Sequence, residues 1–319
     1  MNKILDKINM IGIVPVVVLN NAEDAVPLAK ALLEGGLPCA EVTFRTAAAE
    51  ESIKKIKEAY PEMFVGAGTV LTTEQVDRAI SAGAEFIVTP GINPSVVKYC
   101  VDKCIPIVPG IATPSEIEIA LSFGLDVVKF FPAEGSGGLS MIKDLAGPYT
   151  TMKFIPTGGI NEKNIGTYLA YDKIVACGGS FMVKKELVAA KDFDKIKELT
   201  KEAVQLVLGF ELKHVGINCE NDEEADSVAS SFDNLFGFKK RIDPTSIFAG
   251  GFIEAMKGPG LGKKGHIAIG TNNVSRAMNY LESKGIHFNM DSAKMVNGKI
   301  TVIYLEEEIG GFAVHLTQK

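Results

Sequence analysis

Between Gly12 and Leu208, short apolar runs alternate eight times with helix-patterned stretches, and no other feature of the chain restricts its fold as strongly. The runs are GIVPVVVL (12–19), CAEVTF (39–44), MFVGA (63–67), EFIVT (85–89), IPIVP (105–109), DVVKFF (126–131), KFIP (153–156) and KIVAC (173–177). Amphipathic segments such as AEDAVPLAKALLEGG and EESIKKIKEAY lie between them. Strand followed each time by helix reads as a parallel sheet. Eight such units are the number that closes a (β/α)8 TIM barrel. An open doubly wound sheet is the alternative. It usually carries a glycine-rich fingerprint after its first strand, where this chain has LNNAEDA. The barrel is therefore the expected fold of residues 1–209, an α/β domain.

Chemistry in such a barrel sits where strands end and the following loops begin. Lys129 interrupts the sixth run, flanked by Val127, Val128, Phe130 and Phe131. A snorkelling lysine is the plain explanation. Alternation along the second run places Glu41, Thr43 and Arg45 on one face. The third and fourth runs offer Thr69, Thr89 and Pro90 at their ends. The seventh and eighth end in glycine pairs, PTGGI (156–160) and CGGSF (177–181). Glycine lets backbone N–H groups approach an anion closely, and the last two loops are the habitual phosphate site of this barrel class. Gly158, Gly159, Gly179 and Ser180 thus read as a phosphate cradle, with simple tight turns as the alternative.

These residues make one chemistry coherent. Burial disfavours the charged form of an amine. A neutral amine attacks a ketone and forms a Schiff base, an electron sink that lets a neighbouring carbon–carbon bond break. The reaction also needs a proton shuttle, a carboxylate anchor and an anion site. Glu41, Arg45 and the glycine loops supply them, and the guanidinium fork suits a substrate carboxylate. Residues 1–209 contain no histidine, so proton transfer there falls to a carboxylate, lysine, tyrosine, cysteine or water. A phosphate-binding barrel isomerase, with Glu41 as base and Lys129 as an electrostatic group, is the competing reading.

EVTFRT, GAGTV, TPG, PGIATPSE, KFFPAE, PTGGI and GGSF, in this order and spacing over about residues 5–208, resemble the 2-keto-3-deoxy-6-phosphogluconate / 4-hydroxy-2-oxoglutarate aldolase family. The resemblance implies a class I aldolase that releases pyruvate and needs no cofactor. It implies Lys129 as the Schiff-base lysine and Glu41 as the acid/base working through a water. Arg45 and Thr69 would hold the pyruvate carboxylate, and Pro90 would shape the pocket. Gly158, Gly159 and Ser180 would serve the phosphate end. It also implies a homo-oligomer, typically a trimer, whose substrate is a phosphorylated 2-keto-3-deoxy sugar acid.

Residues 210–319 carry a loose repeat. KHVGINCENDEEADSVASSFDNLFGF (213–238) parallels GHIAIGTNNVSRAMNYLESKGIHF (265–288), and short β-type segments follow each, ending in GGFIEAM and GGFAVHL. The pattern resembles the paired βαβββ modules of the glyoxalase / vicinal-oxygen-chelate superfamily. There, the first and last strands of each module hold a divalent metal. His214, Glu254, His266 and His315 fall on those positions, with His315 where a glutamate is commoner. Imidazoles plus a carboxylate suit Zn²⁺, Fe²⁺, Mn²⁺ or Ni²⁺. Aligning the two GGF stretches sets Val314, not His315, opposite Glu254, and a one-residue slip turns a side chain to the other face. A divalent-metal site is one expectation for this tail. A degenerate module kept for packing, sensing or assembly is the other.

Bulk properties narrow the partners. The net charge of −6 divides as 21 Lys/Arg against 25 Asp/Glu in residues 1–209 (−4) and 12 against 14 in the rest (−2). With neither part basic, a nucleic-acid partner is not expected. The longest apolar run, of about eight residues, falls far short of the roughly 20 that a membrane span needs, and MNKILDKINM lacks the apolar core of a secretory signal. Five cysteines without metal-knuckle spacing point to a reducing cytoplasm. Cys100 and Cys104, one helical turn apart, are expected to serve only in packing.

Overall fold

The computed structural model describes residues 3–319, which divide into two compact units after Val207. The first unit contains nine parallel strand segments: β1 (Ile13–Val17), β2 (Cys39–Thr43), β3 (Phe64–Gly68), β4 (Phe86–Val88), β5 (Ile107–Val108), β6 (Gly110–Ile111), β7 (Val127–Phe130), β8 (Lys153–Pro156) and β9 (Cys177–Gly179). They form one sheet of order β5-β4-β3-β2-β1-β9 and another of order β6-β7-β8. Helices lie between the strands, and their starts are written in the sequence. Thr72 and Asn93 cap two of them with side-chain oxygens, and Thr113 with Glu116 forms a capping box on a third.

Two differences from the expected strands have local causes. The run expected at 105–109 continues to Ile111, but Pro109 has no N–H to give the ladder and divides it into β5 and β6. The Pro109 carbonyl still accepts the Lys129 N–H (2.9 Å), so pairing with β7 continues across the break. The strand expected at 173–177 begins only at Cys177. Ile174 turns back onto the Tyr171 carbonyl, so the segment before Cys177 is buried but irregular. Gly178 and Gly179 consequently lie within β9, opposite Val14 and Pro15, and not in a loop.

Side chains from the strands converge on one interior cluster that includes Val14, Phe64, Phe86, Val88, Val127 and Ile155, and the helix Lys3–Ile11 adds Leu5 and Ile8 to it. Of the two cysteines expected to pack, only Cys100 does. The helix ends at Asp102, and Cys104 lies beyond it, exposed, while Cys100 is buried.

The second unit runs strand–helix–three strands, twice: β10 (Glu211–Asn218), helix Asp222–Phe236, β11 (Lys240–Ile242), β12 (Ser246–Ala249), β13 (Ile253–Met256), then β14 (His266–Thr271), helix Val274–Glu282, β15 (Phe288–Val296), β16 (Lys299–Leu305), β17 (Ala313–Gln318). All eight strands share one mixed sheet of order β11-β12-β13-β10-β14-β17-β16-β15. Ile247, Ala249 and Ala255 pack against Ala225 and Ala229 of the first helix. By strand alternation, Phe248 and Glu254 face the other side. No described helix is long and apolar enough to cross a membrane.

Candidate functional site

In the first unit, β2 and β7 bring Glu41 and Lys129, 88 residues apart, to an Oε1–Nζ distance of 3.3 Å. Their side chains are only 5% and 6% exposed. Glu41 lies over Gly68, where any Cβ would stand 2.1 Å from its Oε1, so the carboxylate needs glycine at that position of β3. Val14, Phe86, Val88, Val108, Ile155 and Thr157 close around the pair, leaving a cavity of about 10 Å³, the space of a single water. Desolvating two charges commonly costs as much as their attraction returns, so a pair placed here is poorly explained by stability. It is well explained by chemistry.

Thr157 and Gly178 also line a second, open cavity of about 630 Å³, together with Arg45, Phe131, Gly158, Gly159, Gly179 and Ser180. Arg45 does not continue the β2 alternation. The strand ends at Thr43, and Arg45 reaches the cavity from the turn beyond, its Nε–H donating to Thr69 Oγ1 (3.3 Å). Thr43 is not free for a ligand, because its hydroxyl donates to the Val17 carbonyl (2.9 Å). Thr69 has a φ of 56°, a strained conformation for a β-branched residue and of the kind that concentrates at functional sites. Gly158 and Gly159 (φ 96° and 84°) form a left-handed turn. Its carbonyls accept the Glu134 N–H and the side chains of Asn161 and Asn164. Pro90 is half-buried, with its carbonyl against Gly110, and is not among the described residues lining either cavity.

Sequence reasoning passed over Thr157. Its hydroxyl is buried without a partner among the described residues and lines both cavities. The signal was its place between the strand run and the glycine pair in PTGGI, where the polar residue at a strand end faces the site.

On the second unit's helix-free sheet face, His214 Nε2 lies 3.1 Å from His266 Nε2, and Glu254 Oε2 lies 3.0 Å from each. His315 lies near the two histidines: the three offer ring nitrogens within 4.8 Å of one another, a group that does not include Glu254. Register explains the convergence. A bulge between Leu212 and His214 shifts β10 by one residue against β14, and this sets His214 opposite Ala268 on the face that carries His266. Glu254 pairs with Gly216, and His315 with Ala268. The two acceptor positions are therefore equivalent, and the offset suggested by aligning the GGF stretches is corrected. Val314 is opposite Ile267, and His315 stands where Glu254 does. Gly216 leaves room for the His266 ring, since a Cβ there would be 2.0 Å from Cε1. His287 lies outside the cluster.

Burial works to raise the Glu254 pKa, but hydrogen bonds with His214, His266 and Ser246 overcome it and hold the carboxyl well below its usual range. The Ser246 hydroxyl donates to Glu254 Oε1 (2.7 Å), fixing the carboxylate. Burial pushes His315 down to about 4, opposed by its hydrogen bond to the Leu316 carbonyl and assisted by the neighbouring His266 and His214.

A lysine and a carboxylate buried together inside parallel strands, beside an open cavity walled by glycines and an arginine, define a site for Schiff-base lyase chemistry. Comparison with known proteins agrees. The family described as "Aldolase: KDPG and KHG aldolase" matches residues 4–199. The 2-dehydro-3-deoxy-phosphogluconate aldolase of Treponema pallidum (strain Nichols) is 50% identical over 204 residues, 64% of this chain and 97% of that protein. The crystal structure of KDPG aldolase from Legionella pneumophila with pyruvate captured as a covalent carbinolamine superposes with a TM-score of 0.61 at 37% identity, covering 63% of this chain and 97% of that one. The 2-keto-3-deoxy-6-phosphogluconate aldolase of Zymomonas mobilis ZM4 with 3-phosphoglycerate gives 0.60 at 40% identity, covering 63% and 95%. The chain belongs to the KDPG and KHG aldolase family, and is a carbon–carbon lyase of the Schiff-base type, whose reaction needs no metal.

Proposed function

We propose that the chain cleaves 2-keto-3-deoxy-6-phosphogluconate to pyruvate and glyceraldehyde 3-phosphate, and also 4-hydroxy-2-oxoglutarate to pyruvate and glyoxylate. The observation that carries the reading is the Lys129–Glu41 pair, buried at 3.3 Å, with Thr157 and Gly178 lining both its cavity and the larger one. The amine of Lys129 attacks the C2 ketone. Glu41 delivers the proton that lets the carbinolamine oxygen leave as water, forming an iminium. The C4 hydroxyl then loses its proton, the C3–C4 bond breaks, and its electrons pass to the iminium as an enamine while the aldehyde departs. Protonation at C3 and hydrolysis return pyruvate and the free lysine. Arg45 and Thr69 hold the substrate carboxylate, Thr157 supplies a hydroxyl beside the reacting carbons, and Gly158, Gly159, Gly179 and Ser180 receive the phosphate. Pro90 shapes the pocket through its backbone. The pyruvate carbinolamine of the Legionella structure and the 3-phosphoglycerate of the Zymomonas structure support this division of roles.

In this reading residues 1–209 are the aldolase domain and their strands one closed (β/α)8 barrel. Parallel pairing, continuity across Pro109 and the Thr157–Gly178 bridge support closure. The enzyme works in the cytoplasm as a homotrimer.

Residues 210–319 are a glyoxalase-like domain of paired βαβββ modules that holds a divalent ion on His214, Glu254, His266 and His315. The triangle of His214, His266 and Glu254 atoms supports this. Its three edges are 3.0–3.1 Å, and an imidazole nitrogen cannot donate and accept at once. With Glu254 held ionised, protons alone leave one edge with like facing like, whereas one cation satisfies all three. An ion there would supply Lewis acidity to an oxygen ligand.

The test is pyruvate release. Purified protein given 2-keto-3-deoxy-6-phosphogluconate should release pyruvate at the same rate with and without a chelator, because the iminium replaces a Lewis acid. A protein that releases none does not have this function.

A further inference from the structure

Lys184 and Lys185 take no part in the chemistry above, yet both line the 630 Å³ cavity. The Val183 N–H closes a turn onto the Ser180 carbonyl (3.0 Å), and the residues that follow line the same cavity as Gly158 and Gly159. Neither lysine has an ion-pair partner among the described residues, unlike Lys55, Lys57 and Lys197, which are each paired with a glutamate. The charged groups among the described residues of the cavity wall are Arg45, Lys184, Lys185 and Glu186. Three cations thus face one carboxylate, in a chain whose net charge is −6. A concave surface of one sign set in a molecule of the other focuses its field on incoming ligands.

We propose that Lys184 and Lys185 set the preference of this site for substrates that end in a phosphate dianion, and that Glu186 opposes them. The inference rests on the aldolase reading. Once Arg45 has taken the carboxylate at the reacting end, the remaining two cations line the same cavity as Gly179 and Ser180, which lie four to six residues before them in the chain. A terminal dianion gains most from them. A terminal carboxylate, with half the charge and no tetrahedral oxygens, gains less. Both lysines act on binding and not on the bonds that break, so their effect belongs in KM.

The experiment measures kcat and KM on 2-keto-3-deoxy-6-phosphogluconate and on 4-hydroxy-2-oxoglutarate, at low and high salt, for wild type, Lys184→Met/Lys185→Met and Glu186→Gln. The quantity read is the ratio of kcat/KM for the phosphorylated to that for the unphosphorylated substrate. It should fall on the order of tenfold or more in the lysine double variant, through KM, and rise in Glu186→Gln. Added salt should lower the ratio in wild type and change it less in the double variant. A ratio that stays put, moves the same way in both variants, or moves through kcat overturns the proposal while leaving the aldolase reading intact. A wild type that cleaves neither substrate removes the aldolase reading, and this proposal with it.

Discussion

Replacing Gly68 with alanine adds one methyl group directly against the Glu41 carboxylate of the proposed active site. The new Cβ would stand 2.1 Å from Glu41 Oε1 and 2.7 Å from both Cδ and Cγ. Ordinary contact is about 3.5 Å, so the carboxylate must retreat by roughly 1 Å. The strand cannot give way instead. Gly68 pairs with Thr43, and its carbonyl holds the Phe44 N–H at 2.7 Å. A catalytic group displaced by about 1 Å loses on the order of 10²-fold, within the 10²–10⁴-fold that general acid–base groups typically contribute, as an order of magnitude. Overpacking costs about 1–3 kcal/mol, which a folded domain tolerates. The variant should therefore melt cooperatively at a lower temperature, still form the imine at Lys129, and turn over about a hundredfold more slowly. A coupled assay of pyruvate release beside thermal unfolding reads both. Turnover near that of wild type in a folded Gly68→Ala protein would refute the claim that Glu41 must occupy this position to move protons.

Two further expectations follow from the same geometry. Thr157→Val removes a buried hydroxyl that has no partner among the described residues, so it should stabilise the fold by up to about 1 kcal/mol and raise the melting temperature, while lowering turnover; a destabilised variant with full activity would contradict both halves. Gly216→Ala drives a methyl into the His266 ring and should abolish divalent-ion binding, measured by metal analysis after loading, without changing pyruvate release. A variant that retains the ion would show that the His266 ring position is not needed to hold it.

Much of this was legible in the chain, for identifiable reasons. Parallel strands covered on both faces are continuous apolar runs, so alternation with amphipathic helices exposed the strand order. A charge inside such a run is conspicuous, and Lys129 could be matched to Glu41 because functional residues gather where parallel strands end. Details that depend on pairing were not legible. Arg45 sits in a turn because β2 stops at Thr43, and no residue announces that stop. Pro109 is visible, but that the ladder resumes beyond it is decided by β7. The unpartnered state of Thr157 is a property of its surroundings, not of its neighbours in sequence. In the second unit, the bulge after Leu212 is fixed by β10 meeting β14 some fifty residues away. That register, which the GGF motifs misrepresent by one residue, decides whether His214 and His315 meet His266 at all.

The most direct measurement is reductive trapping. If Lys129 is the nucleophile, its amine condenses with the C2 carbonyl of pyruvate with loss of water, and borohydride delivers hydride to the iminium carbon, leaving a stable secondary amine. Treatment with pyruvate and borohydride together should inactivate the enzyme, either reagent alone should not, and peptide mapping should place one adduct on Lys129. A barrel isomerase using Glu41 as base would give no adduct. An adduct on another lysine, or none with activity retained, would contradict the Schiff-base account of this site.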